Sequence, residues 1–171
     1  LDPAEAEEFG KLDAEAITRV REQAWPEVEN ADELHDALML LGAMPPQPAW
    51  QEFFAALVAA RRAAVLPVSD NVQLWVAVER QPMLRAIYFD VTPTPSLEIP
   101  AEFTTRAWAK EEALTELVRG QLQGLGPVTA TQLSQRLAVA PSALDLALTA
   151  LEGEGFAMRG RFTPDSTDTE W

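Results

Sequence analysis

The sequence predicts a mainly α-helical fold with small β-wings, in which one unit is used twice. Two short segments carry this prediction, because residues 30–38 and residues 129–137 are similar and each precedes a helix with the same apolar spacing. Size and composition agree with it. The chain has 171 residues, 47% of them hydrophobic, which is enough for one medium-sized domain or two small ones with real cores.

The second helix of each unit begins with a capping pattern. NADELHDAL (30–38) aligns with TATQLSQRL (129–137), and leucines four residues apart fall on one face in both. Each segment starts with an N-cap residue followed three positions later by Glu or Gln. This is the pattern of a capping box, which satisfies the free amides at a helix start.

The third helix of each unit has the i, i+3, i+4, i+7 spacing of a core-facing helix. The spacing occurs at Trp50, Phe53, Phe54 and Leu57, and again at Leu144, Ala147, Leu148 and Leu151. The offset between the units falls from 99 to 94 here, so the first unit carries five extra residues in MLLGAMPPQPA. Insertions belong in loops, so we expect them between the second and third helices. Ser142 and Asp145 are predicted to cap the third helix of the second unit.

A first helix and a terminal strand complete each unit. Val20-Arg21 aligns with Val118-Arg119 in the first helices. The predicted closing strands are residues 63–68 and 156–162, and VQLWVAV (72–78) adds an alternating strand to the first unit. ERQPMLRAIYF, which follows, stays ambiguous because Pro82 interrupts its pattern. Three helices and a β-wing in the same order, twice, predict a tandem winged helix.

These elements divide the chain into five parts. They are an acidic N-terminal arm (1–11), a first winged-helix unit (12–89), a Pro-rich linker (90–106), a second unit (107–163) and a polar tail (164–171). The chain begins at Leu1 without methionine and ends just after a polar run. We therefore expect it to be a fragment of a larger protein.

The charge of the chain opposes independent binding to nucleic acid. There are 27 acidic and 13 basic residues, a net charge of −14, and the first 36 residues hold 12 of the acids and 3 of the bases. Because non-specific affinity comes from Lys and Arg displacing counterions, any DNA contact must be local or must rely on charge from elsewhere. The chain has no cysteine for disulfides or thiolate metal sites. No apolar run reaches the roughly 20 residues that span a bilayer, so no membrane association is expected.

The residue types favour a non-catalytic fragment without cofactors. His35 is the single histidine, and its helical position predicts a surface side chain more than a catalytic or ligating one. The phosphate-binding pattern GxxxxGK[ST] is absent from the sequence. Acidic pairs such as Glu111-Glu112 are typical of helix starts, where they complement the helix dipole.

The third helices do not suit major-groove reading. Residues 141–152 contain Asp145 and Glu152 but no basic residue, and the first unit has Glu52 early and basic residues only at the helix end. Arginine and lysine dominate base readout, so these helices are poor readers.

The remaining DNA-contact candidates are polar residues of the second unit. They are Arg159 and Arg161 in the wing, Arg136 at the end of the second helix, and Thr129, Thr131 and Gln132 at its start. An equally weighted alternative pairs the two wing arginines with Glu152 and Glu154. Arg61 and Arg62 are weaker candidates, because cations at a helix C-terminus stabilise the dipole.

Long motifs in this sequence resemble a known family. GPVTATQLSQRLAVAPSALDLALTALEGEGFAMRGRFTPD, followed by EW, looks like a stretch of the large helicase-related (Lhr) proteins of bacteria. VREQAWPEVENADELHDALMLLG and LWVAVERQPMLRAI look like the segment before it. The resemblance covers about residues 12–171. It implies a place in the C-terminal extension that follows an ATP-driven superfamily 2 helicase core.

The resemblance implies the wider function. The parent would be a DNA repair helicase of the bacterial cytoplasm, associated with the nucleoid, that binds ATP and Mg in its core and moves 3′ to 5′ along single strands. The fragment itself would hold no cofactor, and its partners would be DNA, bound weakly or only in context, and the other domains of the helicase. Two alternatives remain: an acidic tandem winged-helix module for protein interaction or homo-oligomer formation, and part of a winged-helix DNA glycosylase extension.

Overall fold

The computed structural model describes residues 14–163 and 168–171. Seven α-helices and two strands occupy this part of the chain: α1 (Ala14–Ala24), α2 (Ala31–Leu41), α3 (Gln51–Ala59), β1 (Ala63–Pro67), β2 (Gln73–Ala77), α4 (Gln81–Ile87), α5 (Lys110–Leu125), α6 (Ala130–Leu137) and α7 (Pro141–Gly153). Helices predominate, as the sequence predicts. The acidic arm at 1–11 lies outside the described residues.

The capping patterns form at both predicted helix starts. At α6, the Thr129 hydroxyl accepts a hydrogen bond from the Gln132 N–H (3.1 Å), and the Gln132 side chain accepts one from the Thr129 N–H (2.9 Å). At α2, Asn30 accepts from the Glu33 N–H (2.9 Å), but the Glu33 carboxylate reaches one residue further back, to the Glu29 N–H (2.7 Å). The prediction is therefore confirmed in full for α6 and for the Asn30 half in α2.

The third helices end with the same backbone hydrogen bonds. At the end of α3, the Arg62 N–H donates to the carbonyl of Leu57 (2.8 Å). At the end of α7, the Phe156 N–H donates to the carbonyl of Leu151 (3.0 Å). This long bond defines a Schellman motif, a frequent way to satisfy the last carbonyls of a helix. The internal similarity thus extends to the hydrogen bonds that end α3 and α7.

Part of the predicted loop insertion is helical. α2 has 11 residues and α6 has eight, so three of the five extra residues lengthen α2 instead of lying in a loop. The physical reason is burial, because the side chain of Leu41 in this added turn is fully buried and contacts Gly124 of α5.

The predicted cap of α7 by Ser142 and Asp145 is wrong. The N-cap residue is Ala140, which has no side-chain acceptor, and Pro141 occupies the first turn. Proline suits that position because its missing N–H would have no helical partner there. Ser142 and Asp145 are instead exposed residues inside the helix.

The two aligned first helices pack differently. Val118 of α5 is fully buried, but Val20 of α1 is 46% exposed, and Ile17 is the buried residue of α1. α1 packs on α5 of the second unit. Because its inward face is set by that contact, it does not repeat the burial pattern of α5.

The two strands pair antiparallel and are covered on both faces. Val65 pairs with Trp75 in the register. Leu74 and Val76 point into an apolar core that continues through α4 to α7, whereas Trp75 packs with α2 and α3. The Trp75 ring stacks on Phe54 with 4.1 Å between ring centroids. The predicted alternation is confirmed, but the opposite face of β2 is buried as well.

The ambiguous segment after β2 is a helix. Pro82 lies in the first turn of α4, where proline does not remove a helical hydrogen bond. α4 then packs against α5. A fourth helix of the first unit therefore lies between the sheet and the second unit.

Part of the predicted linker at 90–106 packs against the first unit. Thr94 and Val65 exchange two backbone hydrogen bonds, each 2.8 Å long. The Leu97 side chain is buried in the same apolar core as α4 and α5. This stretch connects the two units and also contributes to the core between them.

The two units satisfy each other's helix ends. The Gln121 amide of α5 donates to the carbonyls of Leu41 and Ala43 at the end of α2, at 2.7 Å each. The Tyr88 hydroxyl, just after α4, donates to the carbonyl of Leu137 at the end of α6 (2.6 Å). Burial raises the pKa of Tyr88, so the hydroxyl keeps its proton. Carbonyls at helix ends lack intrahelical donors, and here side chains of the other unit supply them.

Candidate nucleic-acid interface

The segment predicted as the wing of the second unit, called the wing below, is held by pairing around residues 160 and 170. Gly160 and Glu170 exchange two backbone hydrogen bonds (2.9 and 2.8 Å), and Trp171 pairs with Val128 at 2.9 and 3.2 Å. The strand predicted at 156–162 is wrong, because only Gly160 takes part in pairing. The region predicted as a polar tail supplies the partner residues 170 and 171.

The Glu170 carboxylate explains why the ladder is so short. It accepts the backbone N–H groups of Phe162 (2.7 Å) and Thr163 (2.8 Å), which are therefore unavailable to a neighbouring strand. Glu170 is only 3% exposed. Burial alone would raise its pKa, but the hydrogen bonds from Thr163 and Phe162 outweigh this and lower it. The carboxylate thus stays ionised and holds the wing.

Arg21 connects α1 to this wing. Its guanidinium donates to the carbonyl of Pro127 (3.0 Å) and to the Thr163 hydroxyl (3.2 Å), and it lies 3.8 Å from the Glu170 carboxylate. The first helix of the first unit therefore supports the wing of the second.

Arg159 is engaged by an acid of α7. Its Nε and one Nη donate to the two oxygens of Glu152 at 2.7 and 2.8 Å, which is a bidentate pair. The guanidinium also lies 4.9 Å from the Trp171 ring centroid. The hydrogen bond from Arg159 lowers the pKa of Glu152. For Arg159, the ion-pair alternative is confirmed.

Arg161 has a different environment. It is exposed, and among residues 14–163 and 168–171 no side chain or carbonyl forms a hydrogen bond or an ion pair with it. Glu154, its proposed partner, binds Arg119 at 2.6 Å instead. Of the two wing arginines, Arg161 is the one available to a phosphate.

The polar residues at the start of α6 are partly occupied. Thr129 and Gln132 form the capping box, which uses the Thr129 hydroxyl as an acceptor. Thr131 is exposed and lines an open cleft of about 410 Å³ together with Thr129 and Arg159. The structure thus brings these three candidates together, while Gln132 opens onto a different cleft.

Arg136 does not lie at the wing. Its Nε donates to the buried Gln121 side chain (2.8 Å), and its guanidinium lies 5.5 Å from the Trp25 ring centroid. Burial lowers its pKa to about 10. Arg136 therefore stays a separate DNA-contact candidate, because the packing of the two units turns this face of α6 toward Trp25 of the first unit.

Of the two weaker candidates in the first unit, one has an ion pair within that unit. Arg62 donates to the Asp32 carboxylate of α2 at 2.6 Å. Arg61 is exposed and follows the end of α3. Neither lies beside the wing residues in the described contacts.

His35 has a partner that the sequence did not indicate. Its Nε2 lies 3.0 Å from the Glu79 carboxylate, and the side chain is 14% exposed. The predicted surface histidine is therefore a half-buried residue that links α2 to the end of β2. Within the described residues, no group of three or more His, Asp or Glu side chains could hold a metal ion.

No protein-family model matches the chain, and no curated protein sequence matches it. None of the helices described here is long and apolar enough to cross a membrane.

Three important residues carried no signal in the sequence. These residues form contacts between the two units: Gln121 bonds to carbonyls at the end of α2, and Arg21 of α1 lies beside Glu170. A single sequence does not show which surfaces of the two units contact each other.

Proposed function

We propose that the chain is a tandem winged-helix accessory module of a bacterial DNA repair helicase that binds ATP and Mg in another domain. The two units act mainly as a scaffold, and the wing of the second unit adds a contact to the DNA backbone. The observation that supports this proposal is that two sets of three helices, α1 to α3 and α5 to α7, end their third helices with the same hydrogen bonds, at Leu57 and Leu151. The likeness to the Lhr proteins supplies the helicase context.

The contacts between the units support the scaffold role. Gln121 and Tyr88 each satisfy helix-end carbonyls of the opposite unit, and the apolar core runs continuously from β2 to α7. Interfaces built from buried hydrogen bonds and apolar packing hold domains in one orientation. A rigid pair of units can position a helicase core or a strand without a strong DNA affinity of its own.

The wing supports a limited DNA contact. Arg161 is free to bind a phosphate, whereas Arg159 must first leave Glu152. The outer face of α7 carries the acidic Asp145 and the apolar Leu146, which is 71% exposed. Because major-groove readers need Arg, Lys, Asn or Gln there, backbone contact through the wing suits these residues better than base readout.

The test is binding of fluorescent single-stranded DNA at low salt. We expect the Arg159→Ala/Arg161→Ala double variant to bind more weakly than the wild-type protein. Arg85→Ala, which removes an exposed arginine of α4, is the matched control and is expected to keep the affinity. Equal binding by all three proteins, or no binding by the wild-type protein, would contradict the DNA contact.

A protein-interaction module is the second candidate. The net charge of −14 and two side chains at 71% exposure, Leu146 and Met158, favour it. Light scattering distinguishes the two functions. A stable dimer that does not bind DNA would favour the interaction module, and a monomer that binds DNA would favour the helicase accessory module.

A further inference from the structure

A half-buried cation without an acidic partner lies between the two units. The Nη2 atom of Arg136 is buried and has no hydrogen-bond partner in the described part of the chain. No carboxylate among the same residues lies within 4.0 Å of its guanidinium. Buried charges in proteins are normally paired, because removing an ion from water is costly. The neighbours of Arg136 are instead the neutral Gln121 amide and the Trp25 ring.

An open cleft is lined in part by Arg136, whose exposed area lies on atoms other than the buried Nη2. The cleft has a volume of about 630 Å³ and contains residues of both units, among them Arg21, Pro45, Pro127, Gln132, Gln135 and Arg136. Among the described residues, its lining includes two arginines and two glutamines but no acidic side chain. A second open cleft, of about 400 Å³, also contains Pro45, Gln135 and Arg136. Arg136 thus borders open space on two sides.

The two arginines of the cleft differ in whether a nearby acidic group compensates their charge. Arg21 already donates to Pro127 and Thr163 and lies near the Glu170 carboxylate. Its charge is therefore compensated within the protein. The charge of Arg136 is not compensated by any described residue, so the cleft carries about one uncompensated positive charge, beside glutamine side chains that donate hydrogen bonds.

We propose that this cleft between the two units is an oxyanion-binding site in which Arg136 recognises a phosphate group. Guanidinium groups bind phosphate with parallel charge-assisted hydrogen bonds, and Gln132 and Gln135 supply further donors. The phosphate belongs either to a small phosphorylated compound or to a nucleic-acid backbone. This site is separate from the wing and goes beyond the function proposed above.

Thermal unfolding in inorganic phosphate, against sodium chloride of equal ionic strength, tests the site. Phosphate at ten times its Kd is expected to raise the Tm of the wild-type protein by about 3–6 °C. Arg136→Gln and Gln135→Glu are expected to lose this difference, the second because its new carboxylate pairs with Arg136. Arg85→Gln, an exposed arginine on α4, is the control and keeps it. Phosphate also stabilises proteins by general exclusion, so only the difference between variants counts.

The Gln135→Glu variant tests the site even if Arg136→Gln does not fold. Gln135 is exposed, so Gln135→Glu preserves the core even if Arg136→Gln unfolds. An equal phosphate effect in the wild-type protein and Gln135→Glu, or no effect in the wild-type protein, overturns the site.

In the Arg159→Ala/Arg161→Ala double variant, which lacks the proposed wing contact, a dT15 oligonucleotide that phosphate displaces identifies a nucleic-acid backbone as the source. Phosphate binding without dT15 binding identifies a small compound. Arg161→Ala leaves the phosphate effect intact, which separates this site from the wing.

Discussion

Arg61 and Gly155 occupy equivalent positions in the two units, 94 residues apart, and both have a left-handed backbone conformation. Their φ angles are 59° and 74°, and each follows the third helix of its unit by two residues. Glycine adopts this conformation without steric cost, whereas arginine places its Cβ too close to the following carbonyl oxygen. The first unit therefore has the same left-handed helix end as the second, but with arginine in place of the preferred glycine.

We expect Arg61→Gly to stabilise the protein. Relief of the left-handed strain exceeds the added entropy of the unfolded chain, so the free energy of unfolding should rise by about 0.5–1 kcal/mol. Urea denaturation measures it. Arg61→Ala is the matched control, since it removes the charge but keeps the strain, and should change little. A loss of stability in Arg61→Gly would show that the arginine side chain makes a stabilising contact.

Gly120 tests the close contact between α5 and α2. A Cβ at this position would lie 2.4 Å from the carbonyl oxygen of Leu40 and 2.9 Å from that of Leu41. We expect Gly120→Ala to lower the free energy of unfolding by about 2 kcal/mol, because the helices must move apart. Gly153→Ala is the control, since its Cβ meets nothing within 4 Å. It should be neutral or stabilising by about 0.5–1 kcal/mol. Similar effects from both variants would contradict the close helix contact.

Glu170 makes stability depend on acid pH. Its pKa in the folded protein is below its ordinary value of about 4.5, so the unfolded chain binds more protons as the pH falls. The contribution is complete above about pH 4.5 and is lost as the pH falls through the folded pKa. Comparison of denaturation midpoints at pH 7 and pH 4 should show a smaller drop for Glu170→Gln than for the wild-type protein. The exposed Glu98→Gln control should keep the wild-type drop, and an unchanged drop in Glu170→Gln would contradict this role.

Glu152 is expected to restrain the DNA contact of the wing. Glu152→Gln weakens the bidentate pair with Arg159 and frees that arginine for a phosphate. Because an exposed ion pair is weak, affinity for single-stranded DNA should rise only about two- to fivefold. Fluorescence anisotropy measures it, with Glu98→Gln as a control that removes one charge away from the wing. An equal increase in both variants would show that only net charge matters.

Local features of this fold could be predicted from sequence because they depend on near neighbours. The Thr129–Gln132 capping box and the buried face with Leu144 and Leu151 are set by residues within one helix. Relations between units could not be predicted in this way. Arg136 carries the same charge as Arg161, but its position against Gln121 comes from the packing of α6 on the first unit.

At the candidate site too, contacts between separate elements could not be predicted from the sequence. The sequence indicated the wing arginines and left their pairing with nearby acids open. In the structure, only one of the two wing arginines has an acidic partner. Glu152 forms an ion pair with Arg159, whereas Glu154 forms one with Arg119. Which acid reaches which arginine depends on the path of the chain after Gly155, where Glu170 fixes the backbone through Phe162.

The salt dependence of single-stranded DNA binding shows whether the wing contacts a phosphate. For the wild-type protein, Arg161→Ala and Arg85→Ala, the observed binding constant is measured from about 50 to 200 mM salt. We expect the slope of log K against log salt to become shallower by about 0.7 in Arg161→Ala, the value for one phosphate contact to a single strand, and to stay unchanged in Arg85→Ala. Identical slopes for all three proteins would contradict a phosphate contact by the wing.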